Sequence, residues 1–174
     1  MRLMGRTSSY AEERDYIEYI QAADARRLPG EVLKIIEAGI GAGKLRAADM
    51  FVAEARTIAS ERVAADRVSL TGLERDARAA NATGATVAGA GDAFLSYDQP
   101  AKAEEFYGIA MSKPGIDMER ALTRLGIAQF DQGKFADAQT TFDRVAGGRK
   151  VIAQLWALQS AQRAQASVAA VPAP

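Results

Sequence analysis

A self-similarity at an offset of 35 residues constrains this chain more than any other feature. Residues 84–115 lie over residues 119–150 with small and large side chains in step. Gly91 falls on Gly126, Ala93 on Ala128, Ala103 on Ala138, Tyr107 on Phe142 and Ala110 on Val145. Chance rarely matches close-contact and seam positions together. A unit recurring at this period cannot bury its apolar face alone, and stacking on its neighbours does so.

The second copy shows what the unit is. Residues 120–146, RALTRLGIAQFDQGKFADAQTTFDRVA, read as two short helices folded back on each other. The first carries Leu122, Leu125, Gly126 and Ala128 and ends near Gln132, where Gly133 suits a left-handed C-terminal cap. The second carries Phe135, Ala138, Phe142 and Val145, whose spacings of three, four and three put them on one face. Gly126 and Ala138 permit close backbone approach, while Leu125 and Phe142 fill the seam. In the first copy the turn is Tyr97-Asp98-Gln99-Pro100, and Pro100 is preset to start a helix.

The rest of the chain reads as helices with less regular spacing. Residues 1–9 show no periodicity and are expected to be frayed. A helix is expected over residues 10–26, then the Leu28-Pro29-Gly30 break. A short helix over residues 31–38 ends at Gly39, Gly41 and Gly43. Residues 46–67 read as one longer helix. Thr71 with Glu74 has the capping-box spacing and opens another helix to about Ala80. A final helix over residues 150–165 carries Val151, Leu155, Trp156, Leu158 and Ala161 and has no partner after it. Residues 167–174, SVAAVPAP, are a small-residue and proline tail expected to be disordered.

Composition excludes whole classes of chemistry. Cysteine and histidine are absent, which removes thiol nucleophiles, imidazole bases, disulfides and ordinary zinc sites. Lysine plus arginine and aspartate plus glutamate are 22 each, so no net field points to nucleic acid or a membrane surface. No apolar run approaches the ~18 residues of a spanning helix, and no signal-peptide core opens the chain. The chain reads as soluble, with its compartment open: cytoplasmic, or periplasmic if it is a fragment of an exported protein. Alanine and arginine richness points to a bacterial source.

The local motifs are bland. Residues 39–45, GIGAGKL, lack the phosphate-loop requirements, since Ala38 and Leu45 stand where glycine and serine or threonine are needed. They read as a glycine-rich link. Asp15, Glu18 and Asp24, or Asp131 and Asp137, are carboxylates on solvated helix faces. No histidine, cysteine or Gly-x-Ser-x-Gly elbow accompanies them. Asn81-Ala82-Thr83 matches a glycosylation acceptor only formally. No enzyme, cofactor or metal site is expected.

On the pair Leu125-Gly126, the inter-helix Ala138 and the aromatic Phe142, the segment resembles a tetratricopeptide repeat (TPR). The resemblance implies an all-α, TPR-like right-handed helical-hairpin solenoid with a C-terminal capping helix. One array would span residues 10–166, with degenerate repeats over 13–83, clear repeats at 84–117 and 119–150, and the cap at 150–165. It further implies a non-catalytic protein- or peptide-binding scaffold whose first helices line a concave groove. By that analogy the groove shows Arg120, Thr123, Ile127, Phe130 and Asp131, with Asp92, Leu95 and Ser96 from the preceding repeat. The degenerate repeat would add Arg14, Ile17, Gln21 and Asp24. Phe130 stands out as an expected exposed anchor. The carboxylate clamp of chaperone-binding repeats needs lysine and asparagine where Thr123 and Ile127 stand, which argues against that ligand. The partner implied is a more apolar or helical peptide or a neighbouring domain, with neither nucleic acid nor membrane insertion and homo-oligomerisation left open. The alternative is a structural spacer of a larger bacterial envelope protein, its groove filled by its own chain.

Overall fold

The helical periodicity is realised throughout. The computed structural model describes residues 1–169, with side chains through Ser167, and no β-strand occurs among them. The helices are α1 (Arg2–Arg6), α2 (Glu13–Ala23), α3 (Pro29–Gly41), α4 (Met50–Arg78) and α5 (Gly84–Ser96). They continue with α6 (Pro100–Met111), α7 (Met118–Asp131), α8 (Phe135–Asp143), a 3-10 turn Gly147–Arg149 and α9 (Lys150–Ala169). None is long and apolar enough to cross a membrane. The chain divides into two compact units, Met1–Thr71 and Gly72–Pro174, and α4 runs through the division.

In the N-terminal unit α2 packs on α3. Tyr16, Tyr19, Ile20 and Ala23 meet Val32 and Ile36, with Leu45, Val52, Ala55 and Ala59 closing the core. Glu12 and Asp15 form a capping box at the start of α2, and two backbone N–H donors hold the Asp15 carboxyl below its ordinary pKa. Pro29 opens α3, two residues before the expected start at residue 31, because its fixed φ suits the first turn of a helix. A Cβ placed on Gly39 would lie 2.6 Å from Leu45 Cδ1 and 2.9 Å from Tyr16 Cδ1. Here the close-contact glycine sits on the second helix of the pair.

Two expectations are corrected in this unit. Residues 1–9 contain α1 rather than only frayed chain, because Arg2 pairs with Glu31 at 2.5 Å and Tyr10 donates its hydroxyl to the Met1 carbonyl. Tyr19 also donates to Glu31, and burial followed by the Glu31 charge pushes the Tyr19 hydroxyl pKa up. The segment from Thr71 does not start a new helix. Residues 68–72 hold no proline, and a lone Gly72 costs a helix only about 1 kcal/mol, so α4 continues through them.

In the C-terminal unit α5 packs on α6, α6 on α7, α7 on α8 and α8 on α9. The turns follow the sequence. Thr83 caps α5 by accepting from the Thr86 N–H, and Asp117 caps α7 by accepting from the Arg120 N–H. At the end of α7, Gly133 has φ +77°; its N–H reaches the Phe130 carbonyl and that of Lys134 the Gln129 carbonyl, a Schellman cap. The close contacts also fall where the repeat puts them. A Cβ on Gly91 would stand 2.8 Å from Tyr107 Cε1, and one on Gly126 would stand 2.6 Å from Phe142 Cε1.

Ionic side chains tie neighbouring helices around this core. Arg78 reaches Glu105 across a 2.5 Å pair, and Lys102 reaches Glu74 at 2.6 Å. Glu104 on α6 accepts from Gln132 and from Lys134, both at 2.7 Å. α9 closes the end of the unit. Its Trp156 stacks on Phe142 and meets Phe130 edge-on. The helix extends past the expected end at residue 165 and includes Ser167; the rest of the expected disordered tail, residues 170–174, lies outside the described residues.

Candidate functional site

Small residues on α5 face large ones on α7. At the repeat offset Ala85, Ala88 and Gly89 occupy the positions of Arg120, Thr123 and Arg124. Where α5 carries so little side chain, the two helices leave a cavity of about 280 Å³ between them. Ala85, Ala88 and Gly89 form its floor, and Asp92, Arg120 and Arg124 its charged wall. A Cβ added to Gly89 would meet nothing within 4 Å, so the floor is open there.

The wall is a hydrogen-bonded ion cluster. Tyr107 donates its hydroxyl to Asp92 Oδ1 at 2.6 Å, and Arg120 Nη2 donates to Asp92 Oδ2 at 2.6 Å. Arg124 Nε stands 3.6 Å from Oδ1. Burial alone would push the Asp92 carboxyl up. The Arg124 charge, the Tyr107 hydroxyl and Arg120 outweigh burial and hold its pKa below the ordinary value. The carboxylate is therefore ionised and fixed in place. The Arg120 side chain stays 45% exposed and that of Arg124 25%. The volume lies just below the ~300–1,000 Å³ usual for small-molecule pockets.

The structure brings together only part of the expected groove. Asp92 and Arg120 line the cavity. Asp131 is half-buried at the end of α7. Thr123, Ile127, Phe130, Leu95 and Ser96 are buried instead of lining an open face. Phe130 is the main correction, at 6% exposure. Phe135 of the next helix lies 5.1 Å from its ring centre and Trp156 of α9 lies 5.2 Å away, both edge-on. Thr123 turns its hydroxyl back to the Glu119 carbonyl, and Ser96 does the same to that of Ala93. Arg124, Tyr107 and the small floor were missed at the sequence level. The run Ala85, Ala88, Gly89 opposite an arginine pair was the available signal.

The N-terminal unit holds a second cavity, of about 210 Å³, between α2 and α4. Gln21 and Asp24 line it over a floor of Ile20, Phe51 and Ile58. Ile17 is half-buried, and Arg14 pairs with Glu18 on the solvated face. No group of three or more acidic side chains among the described residues is placed to hold a metal ion.

No protein-family model matches this chain, and no curated protein or solved structure matches it.

Proposed function

We propose that the protein is a non-catalytic protein- or peptide-binding scaffold, built as a TPR-like right-handed solenoid of helical hairpins. The α5–α7 cavity is the part of its groove that takes a partner side chain. The observation carrying this reading is that the first helices of the two clear repeats, α5 and α7, enclose a cavity with an open floor at Gly89 and an ordered Asp92–Arg120–Arg124 wall. The stacking of α5 to α9, each helix on the next, and the glycine–aromatic contacts repeated at both hairpins support the solenoid. No catalytic role or cofactor enters this reading.

One observation favours the structural-spacer alternative. Most of the expected groove of α7 is buried, with Phe130 under Trp156, so the chain fills that part itself. The two readings separate on one variant. Gly89→Phe fills the cavity from a position with no neighbour to displace. It is expected to keep stability within about 1 kcal/mol, as surface substitutions do, and to abolish cross-linking to the partner seen with the parent chain in native extract. Unchanged cross-linking leaves the spacer reading.

A further inference from the structure

Among the described residues Glu31 is the only charged residue that is buried, at 8% exposure. It stands in the first turn of α3 with its N–H on the Leu28 carbonyl, and Tyr19 of α2 donates a hydroxyl to its Oε1. Arg2 meets the carboxylate with one side of its guanidinium. Nε donates to Oε1 at 2.7 Å and Nη2 to Oε2 at 2.5 Å. Two parallel bonds from a planar fork match a carboxylate in a way that a lysine ammonium cannot. The carboxylate and the Tyr19 hydroxyl thus form a socket shaped for guanidinium.

The socket belongs to the α2–α3 hairpin and its occupant does not. Tyr19 and Val32, beside Glu31, are core residues, whereas α1 buries none of its five residues. A helix of that length is unstable alone, so α1 keeps its shape only while it is docked. Thr7, Ser8 and Ser9 behind it are exposed, and Ser8 stands at φ +53°, a conformation serine rarely adopts. Opening at this hinge relaxes that strain. Short, thinly anchored segments of this kind come from the low-stability end of a fold. When Arg2 leaves, the buried carboxylate loses two charge-assisted bonds, and a guanidinium from elsewhere restores both.

We propose that Glu31 and the Tyr19 hydroxyl bind an arginine of a partner peptide, which displaces Arg2 and α1 from the socket. The inference lies in the N-terminal unit and stands apart from the α5–α7 cavity. Its probe is a labelled peptide with the sequence of residues 1–9, titrated by fluorescence anisotropy against the full chain. A twin peptide carrying Arg2→Lys is the control. The arginine peptide is expected to saturate the parent chain. In the chain itself, Arg2→Lys keeps a charge and removes the fork, and should tighten binding of the arginine peptide about tenfold. The lysine twin should bind either chain at least about tenfold more weakly. Glu31→Gln added to the Arg2→Lys chain should abolish the difference between the peptides. A second readout leaves Glu31 intact. Arg2→Ala should melt below the parent, and millimolar ethylguanidinium should raise that melt saturably where ethylammonium does not. Absent binding to the parent, equal binding of the twins, or an Arg2→Ala melt indifferent to ethylguanidinium overturns the proposal. So does a chain that sediments as a dimer and is dissociated by Arg2→Lys, because the second copy is then the occupant.

Discussion

In the α5–α6 hairpin Tyr107 lies across Gly91 and gives its hydroxyl to Asp92. In the α7–α8 hairpin Phe142 lies across Gly126, and the position matching Asp92 is Ile127. The steric contact is common to both and the polarity is exchanged as a pair. A buried hydroxyl needs an acceptor and a half-buried carboxylate needs donors, so tyrosine accompanies aspartate and phenylalanine accompanies isoleucine. The surroundings diverge in the same sense. Phe142 is stacked by Trp156 in an apolar cluster, whereas Tyr107 and Asp92 belong to the polar wall of a cavity. One backbone unit thus supports a closed apolar seam in one copy and an open polar cleft in the other.

The largest expected effect tests the closed copy. Phe130→Ala should cost about 3–5 kcal/mol in urea unfolding, as truncation of a buried aromatic does. A loss below about 1 kcal/mol would return Phe130 to an exposed groove and erase the contrast with the cleft. Next come the shared contacts. Gly126→Leu and Gly91→Leu should each cost about 1–3 kcal/mol or more, because neither Phe142, stacked on Trp156, nor Tyr107, bonded to Asp92, can swing aside freely. A parent-like melt for either variant breaks the equivalence of the hairpins.

The exchanged pair gives a sharper test of similar or smaller size. Tyr107→Phe removes a donor from Asp92, and Phe142→Tyr buries a hydroxyl where the matching partner is Ile127. Each should cost about 1–3 kcal/mol, the loss expected for an unsatisfied buried polar group. Asp92→Ile combined with Tyr107→Phe should recover part of that loss, since the pair then matches its counterpart. The smallest effect is in pH. The folded pKa of Asp92 is below its unfolded value, so its stabilisation is fully present above about pH 4 and is lost as pH falls through the folded pKa. The stability difference between the parent and Asp92→Asn should narrow in acid. A difference that stays constant down to the acid transition would show that the ion cluster contributes nothing.

Much of the fold was legible because it rests on local chemistry. Pro100 starts a helix where its fixed φ allows, and Gly133 ends α7 where a left-handed residue fits. The glycine–aromatic contacts were legible because an internal repeat shows small and large positions twice. The site was legible only in part. Asp92 and Arg120 came from the analogy with a TPR groove, and the same analogy misplaced Phe130, Ile127 and Thr123. Such an analogy says which way a helix face points and not what stands in front of it.

In the two clear repeats the sequence by itself determined the helices, their pairing into hairpins and the residues at which paired helices touch. Each of these depends on groups within about one repeat of each other along the chain. Tertiary structure decided the rest. Trp156 lies 26 residues beyond Phe130 in the chain yet meets it edge-on, turning an expected anchor into core. The cavity arises because Ala85, Ala88 and Gly89 leave space opposite the arginines of a helix in the next repeat. Burial is a property of what covers a side chain, and for these positions the cover comes from parts of the chain whose approach no local pattern encodes.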